Sequence, residues 1–204
     1  MKKTFFQKSY NTISNLSIIS LIGILFYLSL RLLYQVIELY GLPYYSDKFI
    51  LINEKIEMVK QIIFVISISI LTITLTLLII ELSHRIVKDS LWNYFKSVYQ
   101  TIRIRQFLKQ DELSETITCN ENQTVTRLNP ILREFNQSVS KCCIDIHSDE
   151  ITVFMKIPRT QQSQKLFKDM EEHIKEEISS YNPNYYFSTP VRERNCLWFK
   201  GTKR

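Results

Sequence analysis

The chain has 204 residues, 45% of them hydrophobic, and a formal net charge of +6. An excess of Lys and Arg suits a protein that lies against anionic lipid or nucleic acid, and charge alone does not choose between them. Only three glycines are present, so no glycine-rich phosphate loop can form, and the sequence has no H-E-x-x-H or G-x-S-x-G motif. The sequence therefore predicts a protein that is not an enzyme and holds no cofactor.

Two further features of the composition concern origin and compartment. The chain contains no alanine and is rich in Ile, Lys, Asn and Tyr, which indicates an AT-rich gene of a low-GC bacterium, phage or plasmid. The three histidines are scattered and no C-x-x-C spacing joins the four cysteines, so no metal site is predicted. Those cysteines are Cys119, Cys142, Cys143 and Cys196. Reduced thiols are typical of a cytoplasmic domain.

The first apolar run follows a short basic tail, residues 1–14. It extends from Leu16 to Leu33 and is free of charge until Arg31, which can snorkel to the lipid headgroups from the last turn of a helix. Tyr27 and Tyr34 are typical of a membrane interface. The pattern predicts a membrane span over about 14–34.

The second apolar run is the longest uncharged stretch of the chain. Residues 62–80 are 19 residues without a charge, Gly or Pro. A helix of that length, at about 1.5 Å per residue, roughly matches the hydrocarbon thickness of a bilayer. A buried strand is the alternative for a segment rich in Ile and Thr, but strands usually have about 4–8 residues. A second span is predicted over about 62–81, so that residues 15–82 form a transmembrane hairpin.

The charges beside the spans predict an orientation. The N-terminal tail carries three lysines and no acid, and residues 83–109 are also basic, whereas residues 35–60 carry four acids against three lysines. Because Lys and Arg collect on the cytoplasmic side of a membrane, both termini are expected in the cytoplasm. The expected protein is a two-pass protein of the cell membrane, with a short outer loop that turns at Gly41-Leu42-Pro43.

Small and hydroxylic residues at helical spacing predict a helix–helix interface, because they let two backbones approach closely. The candidates are Ser17, Ser20 and Gly23 on the first span and Ser69, Thr72 and Thr76 on the second. The interface either closes the hairpin itself, which is the favoured interpretation, or joins copies of the chain in a homo-oligomer.

Residues 83–110 are predicted to form one amphipathic juxtamembrane helix. Apolar residues recur every three or four positions, at Val87, Leu91, Tyr94, Val98 and Ile102. The aromatic residues directly after the span are expected at the lipid interface; they are Trp92, Tyr94 and Phe95. Contact with nucleic acid is the alternative for a basic, aromatic helix.

Residues 111–123 are polar and acidic and are predicted to be a linker to a soluble α/β domain over 124–204. The first helix of that domain is expected to begin at Asn129-Pro130, because Pro favours the first helical position. A later helix is predicted over Thr160–Ser179, whose Glu and Lys residues look like an ordinary solvated face.

A β-hairpin is predicted between these helices, with its turn at Ser148-Asp149. This register places Ile144 opposite Val153 on a continuous apolar face. The other face carries Asp145 and His147 and is expected to be wet, with a catalytic pair as the less favoured interpretation.

Two further strands are predicted at about Tyr185–Thr189 and Cys196–Lys200. The order α-β-β-α-β-β predicts two helices on one face of a mainly antiparallel four-stranded sheet. The expected fold is therefore an N-terminal two-helix transmembrane hairpin followed by a small cytoplasmic α/β domain.

The last hairpin interleaves aromatic and basic residues, a pattern that can stack bases and contact phosphates. The candidate residues for binding a partner or nucleic acid are Tyr186, Arg192, Arg194, Trp198, Lys200, Lys203 and Arg204. Because strand side chains alternate between the two faces of a sheet, half of the aromatics are expected in the core.

Together these features favour a non-enzymatic, membrane-anchored adaptor that presents its domain to a cytoplasmic protein or nucleoprotein partner. The AT-rich gene suggests an accessory of a mobile element in DNA transfer or replication. The alternative is a two-span effector whose domain senses a ligand and whose hairpin then oligomerises and disrupts the membrane.

Overall fold

The computed structural model describes residues 1–39, 47–112, 117–118, 124–125 and 128–204. The chain divides into two compact units. We call Ser9–Glu81 the hairpin unit, and Met1–Lys8 together with Leu82–Arg204 the domain unit. The predicted loop turn at Gly41-Leu42-Pro43 and the thiol of Cys119 lie outside the described residues.

The N-terminal part of the chain forms two long helices, α1 (Phe5–Leu39) and α2 (Asp47–Lys88). Both are long and apolar enough to cross a membrane, by length and composition, and few residues of their most apolar windows are buried. Both exceed the predicted spans, and α1 begins inside the predicted tail. No proline lies inside either helix to end it earlier.

The hairpin unit is held together by small residues at one crossing. Ser20 and Ser67 are buried, and a Cβ added to Gly23 would lie 2.1 Å from Ser67 Oγ. About one helical turn away on each helix, the rings of Tyr27 and Phe64 lie 4.8 Å apart. Only a residue without a side chain allows this approach of the two backbones.

Among the described residues, the domain unit contains four whole helices, the ends of α1 and α2, and one larger sheet. The helices are α3 (Leu91–Leu108), α4 (Pro130–Val139), α5 (Gln161–Asp169) and α6 (Glu171–Tyr181). A two-stranded sheet pairs β1 (Ile117–Thr118) with β2 (Thr124–Val125), and the rest of the predicted linker over 113–123 lies outside the described residues. The larger sheet contains β3 (Cys143–Ile146), β4 (Glu150–Lys156), β5 (Tyr185–Phe187), β6 (Val191–Glu193) and β7 (Cys196–Lys203).

All pairings in the larger sheet are antiparallel, in the order β3-β4-β7-β5, and β6 also pairs with β7. The prediction of a small α/β domain with an antiparallel sheet is confirmed. Two details differ: the predicted helix over 160–179 is divided at Met170 into α5 and α6, and β6 was not predicted.

Two local predictions are confirmed by the contacts. Asn129 caps α4, since its side chain accepts a hydrogen bond from Ile131 N at 3.0 Å and Pro130 follows it. The hairpin register is also as predicted, with Ile144 opposite Val153. This apolar face packs against the helices, which contribute the buried residues Phe135, Phe167, Ile174 and Ile178.

The opposite face of that hairpin is buried too, so the expectation of a wet face is wrong. Asp145, Thr152 and Phe154 are all buried. The N-terminal segment covers them: Lys3 Nζ lies 3.7 Å above the Phe154 ring, and Gln7 Nε2 donates to the carbonyl and the hydroxyl of Thr152 at 3.2 and 3.1 Å. Alternation along a strand shows which face is polar, but not whether a distant segment covers it.

The predicted single helix over 83–110 is also wrong in two respects. The helix is interrupted between Lys88 and Leu91, where the side chain of Ser90 caps α3 by accepting a hydrogen bond from Trp92 N at 3.3 Å. The buried residues of α3 are Ser97, Thr101, Ile104 and Leu108, whereas the predicted apolar positions Val87, Leu91 and Ile102 are exposed. The apolar periodicity therefore selected the wrong face.

Candidate functional site

A cleft of about 680 Å³ lies in the domain unit, beside α5 and β6. Its apolar lining comes from Ile157, Phe167 and Leu197. Its polar and charged lining comes from Gln161, Gln162, Gln164, Lys165, Lys168, Glu171 and Arg192. We call this feature the basic cleft.

Regular secondary structure positions these side chains. Gln161, Lys165 and Lys168 are spaced four and three residues apart on α5, so they follow one face of the helix. Arg192 reaches the cleft because β6 pairs with β7, which places it opposite Leu197.

Glu134 of α4 holds the start of α5 in place. Its carboxylate accepts hydrogen bonds from Arg159 N at 2.6 Å and from the backbone and hydroxyl of Thr160. The hydroxyl of Thr160 is the largest cause that lowers the pKa of this carboxyl group below its usual value. The α5 wall of the cleft is therefore anchored to α4.

The charge of the cleft is positive. Three cations, Lys165, Lys168 and Arg192, face one acid, Glu171. Within the described part of the chain none of the three cations forms an ion pair, and all are exposed. Amide and cationic groups over an apolar lining can bind an acidic segment that also carries an apolar side chain.

The structure disperses the other predicted binding residues. Trp198 is only 5% exposed, with its ring 5.1 Å from that of Phe154, so it is not available to stack a base. Lys200 pairs with Glu150 at 2.7 Å. The side chains that remain exposed are Tyr186, Arg192, Arg194, Lys203 and Arg204, and only Arg192 lines the basic cleft.

The predicted helix–helix residues also separate into two groups. Ser20 is buried and Gly23 contacts Ser67, whereas Ser17 and the second-span candidates are exposed. Those second-span residues are Ser69, Thr72 and Thr76, and each hydroxyl donates to a carbonyl of its own helix at 2.8 Å.

The chain matches no protein-family model, no curated protein and no solved structure.

A buried ionic cluster, which the sequence did not predict, connects the end of α2 to the hairpin turn. We define it as Arg85, Asp89, Asp145 and His147. The Arg85 side chain is almost fully buried; its guanidinium donates to Asp145 Oδ1 and, at 2.9 Å, to the carbonyl of Ile146. Arg85 also forms an ion pair with Asp89, with 3.7 Å between Nη1 and Oδ2.

His147 lies between the two carboxylates of the cluster. Its Nε2 is 3.2 Å from Asp145 Oδ2, and its Nδ1 is 3.2 Å from Asp89 Oδ2. Because carboxylate oxygens only accept, the hydrogen bond to Asp145 requires a proton on Nε2. Asp89 Oδ2 accepts no well-aligned hydrogen bond from the described residues, so its contact with Nδ1 becomes an ion pair only when the ring is protonated.

The pKa values of the cluster follow from these contacts. The hydrogen bond to Asp145 is the main cause that raises the pKa of His147 above 6.5. Burial alone would raise the pKa of Asp145, but the hydrogen bond from His147 and the charge of Arg85 outweigh burial and lower it. Asp89 behaves likewise, with Ser148 and Asn93 as its main hydrogen-bond donors.

The cluster also explains the Asp145–His147 pair that the sequence offered as a catalytic alternative. Asp145 is fully buried, and its carboxylate accepts a hydrogen bond from the Arg85 guanidinium. One signal for this partner was present in the sequence, namely a single acid in the middle of an otherwise apolar strand. If such an acid is buried, it needs a paired cation or hydrogen-bond donors.

Proposed function

We propose that the protein is a non-enzymatic, two-span membrane adaptor. Its domain unit lies in the cytoplasm and recruits an acidic segment of a protein or nucleoprotein partner through the basic cleft. The observation that carries the proposal is the composition of the domain unit, which contains both Met1–Lys8 and Leu82–Arg204.

This composition supports a two-pass topology. α1 leaves the domain unit after residue 8 and α2 re-enters it at residue 82. If both apolar helices cross a bilayer, the two ends of the chain must lie on the same side of it. The basic residues of the tail and of α3 favour the cytoplasmic side.

Labelling in intact cells tests the topology. In a Cys196→Ser background, we expect Ser46→Cys to react with a membrane-impermeant maleimide, and Lys203→Cys to react only after permeabilisation. Lys203 is suitable because its side chain is exposed. The opposite pattern of labelling would show that the topology is wrong.

A peptide titration tests recruitment by the cleft. The full chain in lipid nanodiscs is titrated with a fluorescent peptide of alternating Glu and Leu residues at two salt concentrations. We expect binding that weakens with salt and falls at least tenfold in Lys165→Glu and Arg192→Glu, while Lys203→Glu, outside the cleft, changes it little.

Two results would contradict the role of the cleft. One is an equal loss of binding in all three variants. The other is tight binding of single-stranded DNA that depends on Lys203 and Arg204, which would make nucleic acid the partner.

One observation favours the effector alternative, namely the exposure of Ser69, Thr72 and Thr76 on α2. Exposed hydroxyl groups on an apolar helix can bond to a neighbouring copy. If expression depolarises cells, and replacing these three residues with Leu abolishes the depolarisation, the adaptor proposal fails.

A further inference from the structure

We propose that α3 lies on the membrane surface and inserts an aromatic face among anionic lipid headgroups. We define the aromatic face as Trp92, Phe95 and Tyr99 with Lys96 and Arg103. The inference rests on the proposed membrane anchoring and adds a lipid-binding surface to it.

The opposite side of α3 is fixed against the edge of the sheet. Ser97 Oγ accepts a hydrogen bond from Ile146 N at 2.9 Å, and Thr101 Oγ1 accepts one from Ile144 N at 3.0 Å. One turn further, Arg105 Nε donates to the carbonyl of Cys142 at 2.8 Å. These bonds set the rotation of α3 about its axis, so the aromatic face must point away from the sheet.

The aromatic face is unusually apolar for a surface. Trp92, Phe95 and Tyr99 are 65%, 60% and 60% exposed, and their spacing of three and four residues places them on one side of the helix. Lys96 and Arg103 lie beside them. Amphipathic rings next to long basic side chains are typical of residues at the headgroup level.

Charge selects lipid over a second copy of this helix. The sequence of α3 contains no Asp or Glu, so two aromatic faces in contact would bring cations against cations. Anionic headgroups offer the complementary charge. The position of α3 in the chain agrees with this, because only two residues separate it from the end of α2, the helix that carries the longest apolar run.

The two tryptophans of the chain provide a direct test. Trp198 is buried, so in a Trp198→Phe variant, or Trp198→Tyr if that variant folds poorly, Trp92 alone reports on the aromatic face. The full chain is reconstituted into vesicles of equal phosphatidylglycerol and phosphatidylcholine that contain lipid brominated near the headgroup. We expect the bromolipid to quench more than half of the Trp92 emission and aqueous acrylamide to quench little of it.

Charge dependence is measured on the same sample. Lys96→Glu combined with Arg103→Glu should reduce bromolipid quenching at least twofold, and pure phosphatidylcholine should have a similar effect. Lys203→Glu, a charge reversal on β7, is the matched control and should leave quenching unchanged. Equal quenching in all variants would show that lipid charge is not recognised.

A second reporter separates this inference from membrane anchoring. Phe26→Trp, in a chain with Trp92→Phe and Trp198→Phe, places the only indole on the exposed side of α1. If bromolipid quenches this reporter but not Trp92, anchoring stands and the surface proposal is wrong, whether acrylamide reaches Trp92 or a protein contact shields it. If neither reporter is quenched, anchoring fails and the surface proposal fails with it.

Discussion

Arg85 shows how a charge at the end of an apolar helix can serve the fold rather than the membrane. Its position just after the second apolar run makes it resemble an ordinary cytoplasmic flanking residue. In the structure it is buried and bonded to Asp145 and the Ile146 carbonyl. A buried ion pair is costly to break, because removing one partner leaves the other charge without compensation.

Arg85→Met is therefore expected to lower the free energy of unfolding of the domain unit by about 3–5 kcal/mol. Denaturation in detergent, followed by the fluorescence of Trp198 in a Trp92→Phe background, measures the change. Lys168→Met, an exposed lysine of α5, is the control and should shift stability by less than about 0.5 kcal/mol. Equal stability of the two variants would remove the structural role assigned to the cluster.

His147 is expected to make stability depend on pH near neutrality. Its pKa is raised in the folded chain above the ordinary value of about 6.5. Its stabilising contribution is therefore complete below about pH 6.5 and is lost as the pH rises through the raised pKa. The unfolding midpoint should fall between pH 6 and pH 9 in the native chain.

His147→Gln should flatten that fall, whereas His173→Gln, an exposed histidine of α6, should leave it in place. The carboxylates act at the other end of the pH scale. Because the pKa values of Asp89 and Asp145 are lowered, their contribution is present above about pH 4 and is lost as the pH falls below it. An unchanged slope in His147→Gln would contradict the contacts assigned to its ring.

At the scale of elements, α3 protects the edge of the sheet. An edge strand presents unpaired backbone groups that can pair with another chain. Here Ser97 and Thr101, four residues apart, supply side-chain partners to β3, and Arg105, four residues further on, bonds to Cys142 directly before that strand. A polar stripe on a helix thus replaces the missing neighbouring strand.

Thr101→Val keeps the shape of the side chain but leaves the Ile144 N–H buried without its acceptor. We expect a loss of about 1–3 kcal/mol and faster amide hydrogen exchange across β3. Thr189→Val, at an exposed position, is the control. Unchanged exchange over β3 would mean that the hydroxyl is dispensable.

The same elements show what the sequence could predict. The β3–β4 register follows from alternation and from the turn residues, because any slip would mix apolar and polar faces. The buried face of α3 escaped prediction because two of its four buried residues, Ser97 and Thr101, are polar and bond to backbone groups of β3, so apolar periodicity does not mark that face.

The basic cleft was only partly predictable. Arg192 belonged to a predicted basic cluster, but the lysines of α5 looked like an ordinary solvated face. The strand β6 brings Arg192 to the same cleft as the lysines of α5. This strand has three residues, too few to show the alternation by which strands are recognised in a sequence.

At the scale of the whole molecule, the domain unit is built from both ends of the chain. Phe6 is 2% exposed, with its ring 5.7 Å from that of Tyr94 and 5.4 Å from the Arg85 guanidinium. The first residues, which resemble a simple tail in the sequence, are therefore part of the domain core.

Phe6→Ala is expected to destabilise the domain unit by about 3–5 kcal/mol, because it removes a buried aromatic side chain. Its neighbour Phe5 is 40% exposed, so Phe5→Ala is a closely matched control and should cost far less. Limited proteolysis after Lys141 and Lys156 compares the two variants in the full chain. Equal protection in both would show that the N-terminal segment is not part of the domain.

This arrangement also constrains the order of events on the ribosome. Gln7 bonds to Thr152, 145 residues later in the chain. At about 5–20 residues per second, the first residues wait roughly 7–30 s for their partners to be synthesised. Both apolar helices emerge during that interval, so under the proposed membrane anchoring the translocation machinery would meet the hairpin before the domain can close. A bulky N-terminal fusion would interfere with that last step of biogenesis, whereas a C-terminal one would follow it.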